Sequence, residues 1–347
     1  MTLTLAAAVV AVILLLTGAV RWSDVTIDTE LLLVLFALLL AVEILRASGY
    51  LDLLVKRAMT RFRTTRSFRF AMVLFSGVLA MFVTNDVALF VVIPFTVIAS
   101  RFSDFDIEDA VILEIVSVNL IGCLTPLGNP QNLFVYHRAG WNAGQFVLAM
   151  LPFVAWCTLG LVAALFLLGP SHEMKRNDVE LPQRNGYAAL AGAVCLALVI
   201  LHIAHAMNAW PAAIAATIAW LVFLRRRVDL WIVPLFFFVF IVVAGAKILG
   251  LRFGESLYFA AIGLSQVISN VPATILLSAS ADNRWITLLY GANAGGCGTI
   301  IASLANLLGW QIYVRESNRD PRFFRRLTTI DFAFLAWATA GGWLLLR

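Results

Sequence analysis

Two tripeptides lie where water should not reach. Thr84-Asn85-Asp86 interrupts an apolar run over 67–100, and Ser269-Asn270-Val271 interrupts another over 255–281. Amide and hydroxyl oxygens are hard ligands, suited to a small cation or a hydrogen-bonded substrate. Asp86 is the sharper signal. A carboxylate inside an apolar segment is expensive and faces a cavity or a partner. Its counterpart is Val271, so the pair is not symmetric. Asp86 can ligate a cation or carry a proton; the alternative is a salt bridge within the fold.

A second pair of segments accompanies the first. Residues 119–133 read NLIGCLTPLGNPQNL and residues 293–307 read NAGGCGTIIASLANL. Without a gap they match at Asn119/Asn293, Gly122/Gly296, Cys123/Cys297, Thr125/Thr299, Asn132/Asn306 and Leu133/Leu307. Gly122, Pro126, Gly128 and Pro130 cannot share one regular helix, so the chain must unwind there. Gly295, Gly296 and Gly298 do the same in the second copy. Unwinding frees carbonyls for a cation and half-helix N-termini for an anion. The bland alternative is that the asparagines merely cap helix breaks.

The elements that carry these residues follow from composition. Of 347 residues, 62% are hydrophobic and 13% charged, and the mean hydropathy is +0.92. A soluble domain is about 45–50% apolar and about 25% charged. Such a chain is neither a soluble enzyme nor a nucleic-acid-binding module. Its long apolar runs predict an all-α integral membrane protein rather than a barrel. About nine spans are expected, with two re-entrant hairpins. The first repeat, 1–168, holds spans 3–20 and 30–47, hairpin 67–100, broken helix 110–138 and span 142–168. Residues 169–208 are a linker with a connecting helix, 187–206. The second repeat, 209–347, holds spans 209–224 and 231–250, hairpin 255–281, broken helix 286–308 and span 328–346. Each hairpin half reads as too short to span comfortably.

With a cytoplasmic N-terminus, 19 of the 25 basic residues fall on the cytoplasmic side. That asymmetry supports the orientation in a cell (inner) membrane. Segments 50–66 and 311–326 read as helices lying on the cytoplasmic surface. Four spans return each repeat to its starting side and the connector crosses once, so the second repeat is inverted relative to the first. Inverted repeats with polar interruptions at matching positions are the pattern of secondary transporters.

The remaining charges and sulfurs carry weaker signals. Glu43 and Lys247 occupy matched helix positions and either pair or snorkel. Glu114 reads equally as a buried or a solvated group. His202 and His205 read as interfacial, without a third metal ligand nearby. The cysteines, Cys123, Cys157, Cys195 and Cys297, show no CxxC spacing. Trp22, Trp141, Trp210, Trp231, Trp285 and Trp310 read as interfacial anchors. No Walker A pattern occurs, and no organic cofactor is called for.

Several stretches together resemble the ion transporter superfamily, in particular its citrate-transporter-like and ArsB/NhaD-like permeases. EILRASGYLDLLVKRAMTRFR before the TND hairpin, LTPLGNPQNLFVY, ISNVPATILL and GTIIASLANLLGW are similar to that family's hairpin and broken-helix signatures. The resemblance covers most of the chain. It implies a scaffold and a mobile transport body, an elevator-like motion and a homodimer. It also implies a binding site at Thr84, Asn85, Asp86, Asn119, Gly122, Thr125, Gly128, Asn129, Asn132, Ser269, Asn270, Val271, Asn293, Gly296, Thr299, Ser303 and Asn306. A sodium ion is expected near Asn85, Asp86, Asn119, Asn270 and Asn293. Dicarboxylate carriers of the superfamily have Ser-Asn-Thr at both tips, and this chain departs from that at Thr84, Asp86 and Val271.

The leading reading is therefore a secondary transporter, not an enzyme, for a small carboxylate or inorganic oxyanion coupled to Na+ or H+. The alternatives are a cation/proton antiporter using Asp86 and an arsenite or metalloid efflux permease. The expected partners are the lipid bilayer, a small anion and a second copy of the chain, with no nucleic acid.

Overall fold

The computed structural model describes residues 2–25, 27, 29–103, 106–169, 171–174, 180–203, 206–224, 228, 230–248, 257–317 and 321–347. Expectations that rest on His205, Lys175, Arg176, Arg225, Arg226, Arg227, Arg252, Arg319, residues 249–256 or the side chain of Lys247 lie outside that description. Sixteen α-helices occur among the described residues. They are α1 (Thr2–Leu16), α2 (Thr29–Ala47), α3 (Tyr50–Met59), α4 (Thr65–Val83), α5 (Asn85–Phe102), α6 (Glu108–Leu120), α7 (Pro130–Ala139), α8 (Ala143–Leu167), α9 (Gly186–Ile203), α10 (Trp210–Ala219), α11 (Ile232–Ile248), α12 (Leu257–Ile268), α13 (Asn270–Leu277), α14 (Trp285–Ala294), α15 (Leu304–Ser317) and α16 (Pro321–Leu345). No named strand occurs among these residues; a single bridge joins Thr64 to Glu173.

Helices α4, α5 and α8 are each long and apolar enough to cross a membrane. The chain bends by 72° between Leu32–Ala47 and Tyr50–Met59, a pair that would count as one further span if continuous. This corrects the expectation for the first hairpin. Its halves have 19 and 18 residues because the turn consumes only Thr84, giving each about 28 Å of helix. The halves of the second hairpin are shorter, with 12 and 8 residues. A second correction concerns 311–326, expected as one surface helix. Residues 311–317 continue α15, and α16 begins at Pro321 rather than 328. Proline suits that place because its missing N–H is already an orphan in the first turn.

The chain divides into two compact units. One comprises Met1–Leu53 with Leu181–Gly250, the other Leu54–Glu180 with Leu251–Arg347. Each takes segments from both halves of the sequence. In the first unit α2 packs on α9 and α10, and α1 on α11. Its core is rich in small residues, including Ala37, Ala41, Ala212 and Ala216, which let helix backbones approach closely in an apolar medium. Glu30 caps α10 by accepting the Ala209 N–H at 2.6 Å. His202 lies 3.5 Å from the same carboxylate. Glu43 pairs with Arg46 at 3.4 Å.

The second unit is built around α6, buried on all sides from Asp109 to Leu120, as expected of a helix apolar all round. Thr64 and Ser67 form a capping box that starts α4. Buried Arg69 then donates to the carbonyls of Leu168 and Gly169, satisfying the end of α8. Helices α8 and α16 meet through a tryptophan pair. The Trp156 and Trp337 rings stack 4.6 Å apart. A glycine follows each tryptophan by four residues, and a Cβ on either Gly160 or Gly341 would collide with the other helix's indole.

Candidate functional site

The hairpin tips share one unusual backbone shape. Thr84, between α4 and α5, has φ 71° and ψ 154°. Ser269, between α12 and α13, has φ 73° and ψ 153°. Positive φ outside glycine stores of order 1–3 kcal/mol and persists only where surrounding structure enforces it. Both tips begin a helix with asparagine. Asn85 accepts the Asp86 N–H at 2.9 Å, and Asn270 donates its backbone N–H to Ala302 at 2.8 Å.

The helix breaks fall where proline and glycine predicted them. Helix α6 stops at Leu120, two short 3-10 turns follow at Gly122–Leu124 and Pro126–Gly128, and α7 starts at Pro130. At Gly128 a Cβ would run into the Gly122 carbonyl, so only glycine fits. Helix α14 stops at Ala294 and α15 resumes at Leu304. Each break is braced in the same way. Asn132 donates to the carbonyls of Cys123 (3.0 Å) and Thr125 (3.4 Å). Asn306 donates to those of Gly296 (3.0 Å) and Thr299 (3.2 Å). The Thr125 hydroxyl donates to the Met81 carbonyl at 2.6 Å, and the Thr299 hydroxyl to the Gln266 carbonyl at 2.9 Å. Met81 and Gln266 each lie three residues before their tip.

Crossed side-chain bonds join the breaks. Asn119 donates to Asn306 Oδ1 at 2.7 Å, and Asn293 donates to Asn132 Oδ1 at 2.8 Å. Asn85 donates to Asn119 Oδ1 at 3.3 Å, where the Ser303 hydroxyl also donates at 2.9 Å. Asn129 and Gln131 both donate to Asn293 Oδ1, at 3.1 and 3.2 Å. The Ser269 hydroxyl reaches the Ala302 carbonyl at 3.4 Å. Asn85, Asn119, Asn129, Asn132, Asn270, Asn293, Ser303 and Asn306 are all buried. The expected polar residues therefore form one cluster inside the second unit.

Not every expected residue contributes a polar side chain. Val271 supplies only an apolar one. Thr84 is partly buried and makes no capping bond with its side chain. Gly122 and Gly296 act through the backbone. Glu114, open to a solvated reading in the sequence, is fully buried, and Thr96 donates to it. Gln131, Gln266 and Asp331 were absent from the sequence expectation. Asp331 is buried on α16 and accepts from Asn306 at 2.7 Å. Its signal was available: it is the sole charge in the apolar stretch 327–346.

This cluster offers two kinds of chemistry. Helices α5, α7, α13 and α15 all begin at its breaks or tips, and their N-terminal N–H groups carry partial positive charge suited to an anion. Buried acceptors without a hydrogen-bond partner, Asp86 Oδ1, Asn129 Oδ1 and Gln131 Oε1, suit a cation or a proton. Among the described residues no group of three His, Cys, Asp or Glu is placed to hold a metal. All four cysteines are buried and free.

Broken helices enclosing a buried amide cluster, in a chain with long apolar helices, define a membrane permease rather than an enzyme. Comparison with known proteins gives the family. Residues 1–284 match the model of the citrate transporter family, and the chain belongs to that family. It is 32% identical over 338 residues to the inner membrane protein YbiR of Escherichia coli (strain K12), covering 92% of this chain and 88% of that one. It is 33% identical over 332 residues to the uncharacterized transporter MJ0456 of Methanocaldococcus jannaschii, covering 92% and 90%. A shorter likeness, 28% over 146 residues, links it to the human P protein, covering 38% of this chain and 17% of that one. It is a membrane transporter.

Proposed function

We propose that this transporter moves a small anion, a carboxylate or an inorganic oxyanion, coupled to Na+ or H+. The observation that carries the reading is the crossed asparagine pair. Asn119, before the first break, bonds Asn306 after the second, and Asn293, before the second break, bonds Asn132 after the first. Such exchange is what a two-fold relation between two copies of one unit produces, and it supports an inverted repeat over 1–168 and 209–347. On this reading the N-terminus is cytoplasmic. The second unit, which holds the whole cluster, is the body that moves in an elevator-like cycle, and the first is the scaffold. A homodimer is the working assembly. Anion binding draws on the converging helix N-termini.

A second reading is favoured by one specific feature. Asp86 is buried with one oxygen unpartnered, as a cation/proton antiporter would require of an exchanging carboxylate. Thermal stabilisation of the purified chain across a panel of anions, with and without sodium and at several pH values, separates the two. A ligand that binds the folded state raises its stability with occupancy. Stabilisation by a carboxylate or oxyanion supports anion transport. Stabilisation by cations alone contradicts it.

A further inference from the structure

Asp331 ends a chain of amides that all point one way. The Asp86 N–H donates to Asn85 Oδ1, Asn85 to Asn119, Asn119 to Asn306, and Asn306 to Asp331 Oδ2. Both ends of this chain are chemically fixed. A backbone N–H can only donate, and a carboxylate oxygen without its proton can only accept. The carbonyls of Gly296 and Thr299 hold the Asn306 amide in the same sense. The hairpin tip is therefore wired to α16 through three side chains.

The second carboxylate oxygen is different. Asp331 Oδ1 is buried and has no hydrogen-bond partner, in a side chain only 1% exposed. Among the described residues no basic side chain pairs with Asp331. Helix α16 packs on α8, α14, α6 and α15, and its Thr339 carbonyl accepts from Tyr258 of α12 at 2.8 Å. The titratable groups in the apolar parts of those helices are Cys157, Tyr258, Tyr290, Glu114 and Tyr313, and none is a cation. The backbone N–H of Gly298 and the thiol of Cys297 lie against the Asp331 carboxyl. Arg326, five residues earlier on α16, is held by Asp109 at 2.8 Å, and Arg315 lies near the far end of α15. An unpaired carboxylate so far from water is neutralised by a proton or by a metal cation. The neighbours decide between them. Asn306 and Gly298 turn N–H groups toward the carboxyl and Cys297 offers a thiol, so these neighbours are donors rather than the oxygen shell a sodium ion needs.

We propose that Asp331 is a proton-binding site of the transporter, taking a proton on Oδ1 and sensing the hairpin tip through Asn306, Asn119 and Asn85. This deepens the reading of coupled transport by assigning a proton to a carboxylate other than Asp86. The proton comes from bulk water, forms the Oδ1–H bond and returns to water when that bond breaks. When Oδ1 is protonated Asp331 is neutral, and Asn306 then bonds to a weaker acceptor at Oδ2. The change propagates to Asn119 and Asn85.

Infrared difference spectroscopy over a pH titration of the purified full chain tests this without any transport. Wild-type protein should show a carboxylic-acid carbonyl band that Asp331→Asn removes and that Asp86→Asn and Glu114→Gln leave in place. A spectrum unchanged by Asp331→Asn overturns the proposal. Should that variant fail to fold, wild-type protein labelled with carboxyl-13C aspartate keeps the test alive, because absence of any label-shifted carboxylic-acid band overturns it equally. A transport arm uses citrate as the probe, in proteoliposomes carrying a pH dye. Wild type should acidify or alkalinise the lumen as citrate moves, and Asp331→Asn should lose at least tenfold of that proton flux. Proton flux equal to wild type in Asp331→Asn overturns the coupling. If wild type moves no anion while the infrared band behaves as stated, the transport reading fails and the proton site stands.

Discussion

Trp156 and Trp337 hold each other by one bond made twice. The Trp156 indole donates to the Trp337 carbonyl, and the Trp337 indole to the Trp156 carbonyl, both at 3.0 Å. Gly341 receives the first ring and Gly160 the second. The exchange has the form of the asparagine pair in the cluster, where 119 meets 306 and 293 meets 132.

The tryptophan clasp makes a stability prediction. Replacing either glycine with leucine forces an indole out of its seat and should cost about 1–3 kcal/mol. Trp156→Phe and Trp337→Phe should each lose about 1 kcal/mol with the donated bond, and the two losses should not add, since the rings share one contact. Thermal unfolding in detergent measures all of these. A Gly341→Leu variant that melts with wild type contradicts the clasp.

The crossed asparagines predict paired behaviour. Asn119→Ala strips Asn306 Oδ1 of its donor, and Asn293→Ala does the same to Asn132 Oδ1. An orphaned buried acceptor costs about 1–3 kcal/mol. Asn119→Ala combined with Asn306→Ala should cost less than the sum of the singles, as should Asn293→Ala with Asn132→Ala. Additive losses in either double variant would show that the bonds are not shared as described.

Much of this arrangement was legible in the sequence, for physical reasons. Two prolines and two glycines crowd into 122–130 and three glycines into 295–298, a density no regular helix accommodates, so the breaks announced themselves. Polar residues inside apolar runs marked the tips. Three things were hidden. The length of the first hairpin's helices depended on how few residues its turn would use, and Thr84 alone suffices only because it accepts a strained backbone. The sequence comparison aligned Asn119 with Asn293, whereas the bonds run from each to the other's distant neighbour, which only packing can reveal. Asp331 was passed over because one charge barely lowers the hydropathy of a long apolar window. The Trp-x3-Gly pattern, at 156–160 and again at 337–341, was readable and would have extended the internal match to the last helices.

Glu114 gives a third prediction. Thr96 is the hydrogen-bond donor to this buried carboxyl, whose other oxygen is unpartnered. Thr96→Val keeps the shape and removes the hydroxyl. It should destabilise by about 1–3 kcal/mol, and Thr96→Ser should recover most of that. Equal melting of the valine and serine variants contradicts the role of the hydroxyl.

The hairpin tips should separate binding from folding. Asn270 is bonded through its backbone N–H, which alanine retains, whereas the Asn85 side chain is bonded on both sides. Uptake into proteoliposomes of whichever anion stabilises the purified chain should be lost in Asn85→Ala and in Asn270→Ala. Thermal stability should fall by about 1 kcal/mol in the first and stay near wild type in the second. Normal uptake in both would reduce the tips to helix caps.

The inverted repeat is the claim on which alternating access depends, and cysteine labelling tests it most directly. The native cysteines are buried, so a membrane-impermeant maleimide should meet little background. Arg61 and Asn283 are exposed, the first just ahead of α4 and the second just after the second hairpin. In intact cells Asn283→Cys should label and Arg61→Cys should not; in inside-out vesicles the pattern should reverse. Labelling of both positions from the same side would contradict the inverted repeat.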